Sequence, residues 1–114
     1  MRALATLLLM CLPGAALAEL SLVMVEQDGC VYCARWDAEI APAYANTEEG
    51  RRAPLRRIDL HEPVPADLEL DSAPRLTPTF ILVDDGEEVS RIEGYPGDQF
   101  FWPMLDALLE RAEP

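Results

Sequence analysis

Cys30 and Cys33 bracket two residues in the segment Gly29-Cys30-Val31-Tyr32-Cys33. Their surroundings decide what such a pair can do. Residues 20–26, Leu-Ser-Leu-Val-Met-Val-Glu, form a short apolar run bounded by Gln27-Asp28-Gly29 and read as a buried strand. From Ala34 onward the pattern is helical. The pair therefore falls where a strand gives way to a helix, and a helix N-terminus offers unpaired N–H groups and the positive end of the peptide dipoles. Both favour a thiolate over a thiol, and cysteines in C-x-x-C at such sites titrate well below the free value of about 8.5. Cys30, the first of the two, is the candidate nucleophile. Cys33, one turn further in and facing it, is the candidate resolving thiol. Three other readings compete. Half of a zinc site lacks its other half, because His61 is the only histidine and Cys and His alone cannot complete four ligands. A haem attachment would need His directly after Cys33, where Ala34 stands. An inert structural disulfide stays open, although the loop it would close is too small to constrain the unfolded chain much. The reading calls for no metal and no other cofactor.

Other elements must position that pair. After Cys33, Trp36, Ile40 and Ala43 or Tyr44 fall on one helical face, with Pro42 expected to kink or end the first segment. Residues 46–52 are polar and are expected to form a loop. Residues 54–60, Pro-Leu-Arg-Arg-Ile-Asp-Leu, read as a second strand, and a strand–helix–strand order points to parallel pairing. Residues 61–76 are rich in Pro and Asp, with a short helix expected near residues 66–70. Residues 79–83 and 88–92 read as an antiparallel hairpin turning at Asp84-Asp85-Gly86. Asp98 is the expected N-cap of a closing helix to about Arg111, its buried stripe made by Phe101, Met104 or Leu105, and Leu108 or Leu109.

The compartment is also legible. Met1-Arg2 is followed by an apolar run to Leu12, a break at Pro13-Gly14 and the small-x-small pattern Ala16-Leu17-Ala18. This order reads as a cleaved signal peptide over residues 1–18, leaving one domain over residues 19–114. The run is well short of the roughly 20 residues of a membrane-spanning helix. Cys11 is expected to leave with it; a lipid attachment site would want a small residue where Met10 stands. The full chain carries 9 basic and 21 acidic residues, a net charge of −12. A surface this acidic repels phosphate backbones and anionic lipid, which argues against nucleic acid or a membrane surface as partner. No membrane insertion is expected after signal cleavage. Export to an oxidising compartment gives disulfides their usual setting.

A second motif, Leu76-Thr77-Pro78-Thr79-Phe80, stands just before the third strand. By itself it reads as a turn or edge feature. C-x-x-C at a strand–helix junction, then Thr-Pro-Thr-Phe, a hairpin, Gly94 and a final helix together resemble the thioredoxin superfamily over most of the chain. Trp36-Asp37-x-Glu39-Ile40, the small size, the acidity and the signal peptide most resemble the exported thioredoxin-like proteins of sulfur-oxidation (Sox) gene clusters. The resemblance implies an α/β, thioredoxin-like fold: a compact four-stranded mixed sheet flanked by helices. It implies a redox-active Cys30–Cys33 disulfide, a cis Pro78 against it, a Thr77 backbone free to pair with a substrate strand, Gly94 on the neighbouring substrate-facing loop, and Tyr32 on the docking surface. The departures are equally specific. Gly29 replaces the usual Trp, Val31-Tyr32 replaces Gly-Pro, and Met24 stands where thioredoxins bury an acid. Glu26 is the nearest acid in that strand, with a solvated strand-end charge as its simplest role.

These departures leave the redox potential open over a spread of about 150 mV, roughly 7 kcal/mol for two electrons. The resemblance favours a dithiol reductase that keeps a cysteine of a periplasmic client protein reduced or active, in a sulfur-oxidation system, with electrons from a membrane thiol carrier. A disulfide-introducing oxidase is the second reading, and a non-catalytic regulatory binding module on the same scaffold is the third.

Overall fold

The computed structural model describes residues 19–114 together with Ala3. The expected signal peptide, including Cys11, otherwise lies outside the described residues. The strands are β1 (Leu20–Glu26), β2 (Leu55–Asp59), β3 (Thr79–Asp84) and β4 (Glu87–Glu93); the helices are α1 (Val31–Glu39), α2 (Ala41–Tyr44), α3 (Glu48–Arg52) and α4 (Asp98–Arg111). The sheet order is β2-β1-β3-β4. β1 runs parallel to β2 and antiparallel to β3, and β3 pairs antiparallel with β4.

The unbroken apolar character of β1 and β3 follows from burial on both faces. Leu22, Met24, Phe80 and Leu82 point to the face covered by α1, α2 and α4, where Trp36, Ile40, Tyr44, Phe101, Leu105, Leu108 and Leu109 complete the main core. Val23, Val25, Ile81 and Val83 point the other way and meet Leu68, with Ile58, Leu60 and Leu70 at the margin. Aromatic rings knit the main core: Trp36 lies 5.2 Å from Phe80 and 5.8 Å from Phe101 between ring centroids.

Several boundaries differ from the expectations. No helix forms over residues 66–70. Pro63 and Pro65 break that segment, and Glu69 instead joins the hairpin through Glu69 N–H to the Gly86 carbonyl and Glu88 N–H to the Glu69 carbonyl, at 2.7 and 2.9 Å. The supposed loop after Tyr44 contains α3, capped by the Thr47 hydroxyl, which accepts from Gly50 N–H at 3.0 Å. The first helix breaks at Ile40, and Pro42 sits in the first turn of α2, where its missing N–H costs nothing. Gly97, not Asp98, is the N-cap of α4, and Met104 is exposed while Leu105 is buried.

Candidate active site

The end of β1 delivers the chain to the redox pair. Gly29 takes a positive φ of 76°, a conformation that side-chain-bearing residues adopt at a cost, and turns Cys30 onto the N-terminus of α1. Cys30 is the N-cap residue: its Sγ accepts a hydrogen bond from Cys33 N–H at 3.1 Å. Cys30 and Cys33 are joined by a disulfide, their Cα atoms 5.2 Å apart. Cys33 is 5% exposed and packs in the main core, whereas Cys30 is only partly covered. Of the two sulfurs, Cys30 is the one an incoming group can reach.

Two concavities are lined by residues of the Cys30–Cys33 segment. One is a groove of about 440 Å³ lined by Tyr32, Leu76, Thr77, Glu93, Gly94, Tyr95 and Pro96. Tyr32 is 54% exposed on its rim. The Thr77–Pro78 peptide is cis, and Gly94 N–H donates to the Pro78 carbonyl at 2.7 Å. The backbone of Thr77 itself makes no hydrogen bond to the other described residues. Tyr95 also lines the groove. Burial and a hydrogen bond to Glu39 push its phenol up to about 12. The expected docking residues Tyr32, Thr77 and Gly94 therefore share one groove, and Pro78, next to Thr77, is buried and does not line it.

The second concavity is a cleft of about 490 Å³. Its lining includes Cys30, Cys33 and four carboxylates: Glu26, Asp28, Asp37 and Asp59. Arg57 reaches over the Trp36 ring, 5.7 Å from its centroid, and bonds Glu26 at 2.6 Å and Asp37 at 2.7 Å. The hydrogen bond to Asp37 pushes the Arg57 pKa up, burial opposes it, and Glu26 adds to the rise. Asp28 and Asp59 have no cationic side chain within salt-bridge reach among the described residues. Met24 is fully buried under the pair and contributes only its sulfur, 3.7 Å from Arg57 Nη1. Sequence reasoning placed Glu26 at the strand end but missed its pairing with Arg57, as well as Asp37 and Asp59 beside it. The signal was present in strand parity: Glu26 and Asp59 are register partners across β1 and β2.

The thioredoxin-like domain profile matches residues 16–109. The chain belongs to the thioredoxin-like family. No curated protein sequence matches it significantly. Among solved structures it is similar to the periplasmic thioredoxin SoxS from Paracoccus pantotrophus in its reduced form, at 56% identity and a TM-score of 0.82, over 83% of this chain and 100% of that one. The family, the bonded C-x-x-C pair and this likeness make the chain a thiol–disulfide oxidoreductase, with the thioredoxin-like fold expected for it. The inert-disulfide and non-catalytic readings fall away. Like its relative, this chain is periplasmic, and no helix among the described residues is long and apolar enough to cross a membrane.

Proposed function

We propose that this thioredoxin-like chain is a dithiol reductase that keeps a cysteine of a periplasmic client protein reduced, in a sulfur-oxidation system of the kind its SoxS relative is named for. The observation that carries the direction is the acidic cleft. Thiolate-stabilising surroundings lower the free energy of the reduced dithiol and make a pair oxidising. Here the helix N-terminus and Cys33 N–H favour the Cys30 thiolate, but four carboxylates face the pair from the cleft and the nearby guanidinium is shared by two of them. The net field disfavours a thiolate, raises the reduced state and makes the dithiol the better electron donor.

The cycle balances with two electrons and two protons. The Cys30 thiolate attacks one sulfur of a client disulfide; a mixed disulfide forms and the other client sulfur leaves as a thiolate that takes up a proton. Cys33, deprotonated, then attacks Cys30 Sγ. The Cys30–Cys33 bond forms, the second client sulfur leaves as a thiol, and the pair is oxidised. A membrane thiol carrier returns the two electrons. Tyr32, Thr77, Pro78 and Gly94 form the docking face, and the client strand lies against the Thr77 backbone, which is unpaired among the described residues. Residues 1–18 are the signal peptide in this reading, so the exported protein begins at Glu19, which N-terminal sequencing checks.

Trapping the cellular redox state with a thiol-alkylating reagent tests the direction. The account expects a mostly reduced Cys30–Cys33 pool that becomes oxidised when the membrane donor is removed. A mostly oxidised pool that does not respond to that removal contradicts it and favours the oxidase.

A further inference from the structure

Gln27 belongs to no motif, yet its side chain ties three segments together. Its Nε2 donates to Thr77 Oγ1 at 2.8 Å, across 50 residues of sequence. Its Oε1 lies 2.9 Å from His61 Nε2. An amide oxygen only accepts, so His61 carries a hydrogen on Nε2 and donates. The Gln27 carbonyl accepts from Cys30 N–H at 3.3 Å, which fixes Gln27 to the turn that presents Cys30. His61 is held in turn by its own N–H, which donates to Asp59 Oδ1 at 2.8 Å.

The segment before β3 is tied to the hairpin at Glu69, Asp71 and Ser72, and the Pro78 carbonyl accepts from Gly94 N–H at 2.7 Å; Thr79 Oγ1 only reaches back to the Leu76 carbonyl. At Thr77 the Gln27 amide is the long-range tie. It also sets a polarity. Because Thr77 Oγ1 accepts from Gln27, its own hydrogen is left to donate, and Thr77 lines the groove beside Tyr32 and Gly94. A hydroxyl aimed this way suits a client backbone carbonyl.

We propose that Gln27 is a positioning residue for client binding: it holds the Thr77 hydroxyl as a donor toward the groove, and His61 fixes the orientation of its amide. The proposal rests on the reading that clients lie along Thr77. It extends that reading to the class of group recognised, a backbone carbonyl of an extended peptide, which a small disulfide lacks.

The test uses prereduced protein in single-turnover reactions with two probes: a synthetic peptide disulfide with extended flanks, and 2-hydroxyethyl disulfide. Saturable turnover of the peptide by the unaltered protein tests the docking reading by itself, and comparison among variants tests this one. Gln27→Leu is expected to raise the half-saturating peptide concentration about fivefold to tenfold, the scale of one neutral hydrogen bond. Its limiting rate and its rate with 2-hydroxyethyl disulfide should change less than twofold. Gln27→Glu can only accept, so it captures the Thr77 hydrogen and should raise the half-saturating peptide concentration as Gln27→Leu does; the charge it adds to the cleft acts on the rates and not on that concentration. Adding Thr77→Val to Gln27→Leu should cost nothing more. His61→Leu, at an exposed position, should raise the same concentration about twofold to threefold, and His61→Gln, which keeps an N–H donor, should restore it. Equal losses with both probes, a loss confined to the limiting rate, or unaltered behaviour of Gln27→Leu or Gln27→Glu would overturn the proposal.

Discussion

At the scale of single residues, the chemistry turns on the charges that face one sulfur. The helix N-terminus contributes about 0.3–1 kcal/mol in favour of an anion, and each unpaired carboxylate in the cleft opposes it by a similar amount. Asp28 and Asp59 are the two acids of the cleft with no cationic partner among the described residues. Replacing either by Asn should relieve the thiolate and make the pair more oxidising, by about 10–20 mV each, since about 30 mV corresponds to 1.4 kcal/mol for two electrons. Equilibration with glutathione buffers measures this; a shift to more reducing values in either variant would contradict the electrostatic account. The sequence showed Cys30 and Cys33 plainly, because the thiolate chemistry of C-x-x-C is written in adjacent residues. It did not show Arg57 bridging Glu26 and Asp37, because that contact joins strand, helix and strand across a distance no local pattern reports.

At the scale of elements, α1 and α4 are held to the sheet by aromatic contacts in the core, with Arg57–Asp37 and Arg111–Ser90 as polar ties at its margin. Phe101 is fully buried and stacks edge-on with Phe80 at 5.0 Å and with Trp36 at 5.8 Å. Phe101→Ala should cost about 3–5 kcal/mol, read as a lowered urea midpoint, with the Cys30–Cys33 disulfide intact. A second prediction concerns the hairpin. Burial alone would raise the Glu88 pKa, but hydrogen bonds from Arg91 and from Asp71 N–H bring it below the ordinary carboxylate value of 4.5. A carboxylate whose pKa is depressed in the fold stabilises above the unfolded value and loses that contribution as pH falls through the lowered one. Unfolding free energy should therefore drop on acidification below about pH 4.5, and Glu88→Gln should flatten that drop; an unchanged slope in urea titrations across pH would contradict it. Strands and α4 were readable from the sequence because apolar runs and the 3.6-residue stripe are local. The cover over the second sheet face was not. Residues 61–76 follow the sheet through backbone pairing at Glu69 and the insertion of Leu68, with no period of their own.

At the scale of the whole molecule, two patterns combine: a sheet buried on both faces, and a surface carrying a net charge of −12. A field of that sign steers encounters. Prereduced protein should react faster with an Arg-flanked peptide disulfide than with an Asp-flanked one at low salt, and the difference should shrink as ionic strength rises past the regime of a 10 Å Debye length. Rates that do not depend on salt would remove the surface charge from any role in client choice. Family and compartment were legible at this scale, because two motifs in order and the signal-like pattern of residues 1–18 constrain the whole chain at once. The direction of electron flow was not, because it depends on a field summed over side chains from β1, α1 and the end of β2. The equilibrium potential of the Cys30–Cys33 pair, titrated against glutathione at pH 7, tests that field most directly. The account expects a value close to the thioredoxin figure of about −270 mV. A value more positive than about −180 mV would show that the reduced pair is the stabilised one, and the protein would then be a disulfide donor.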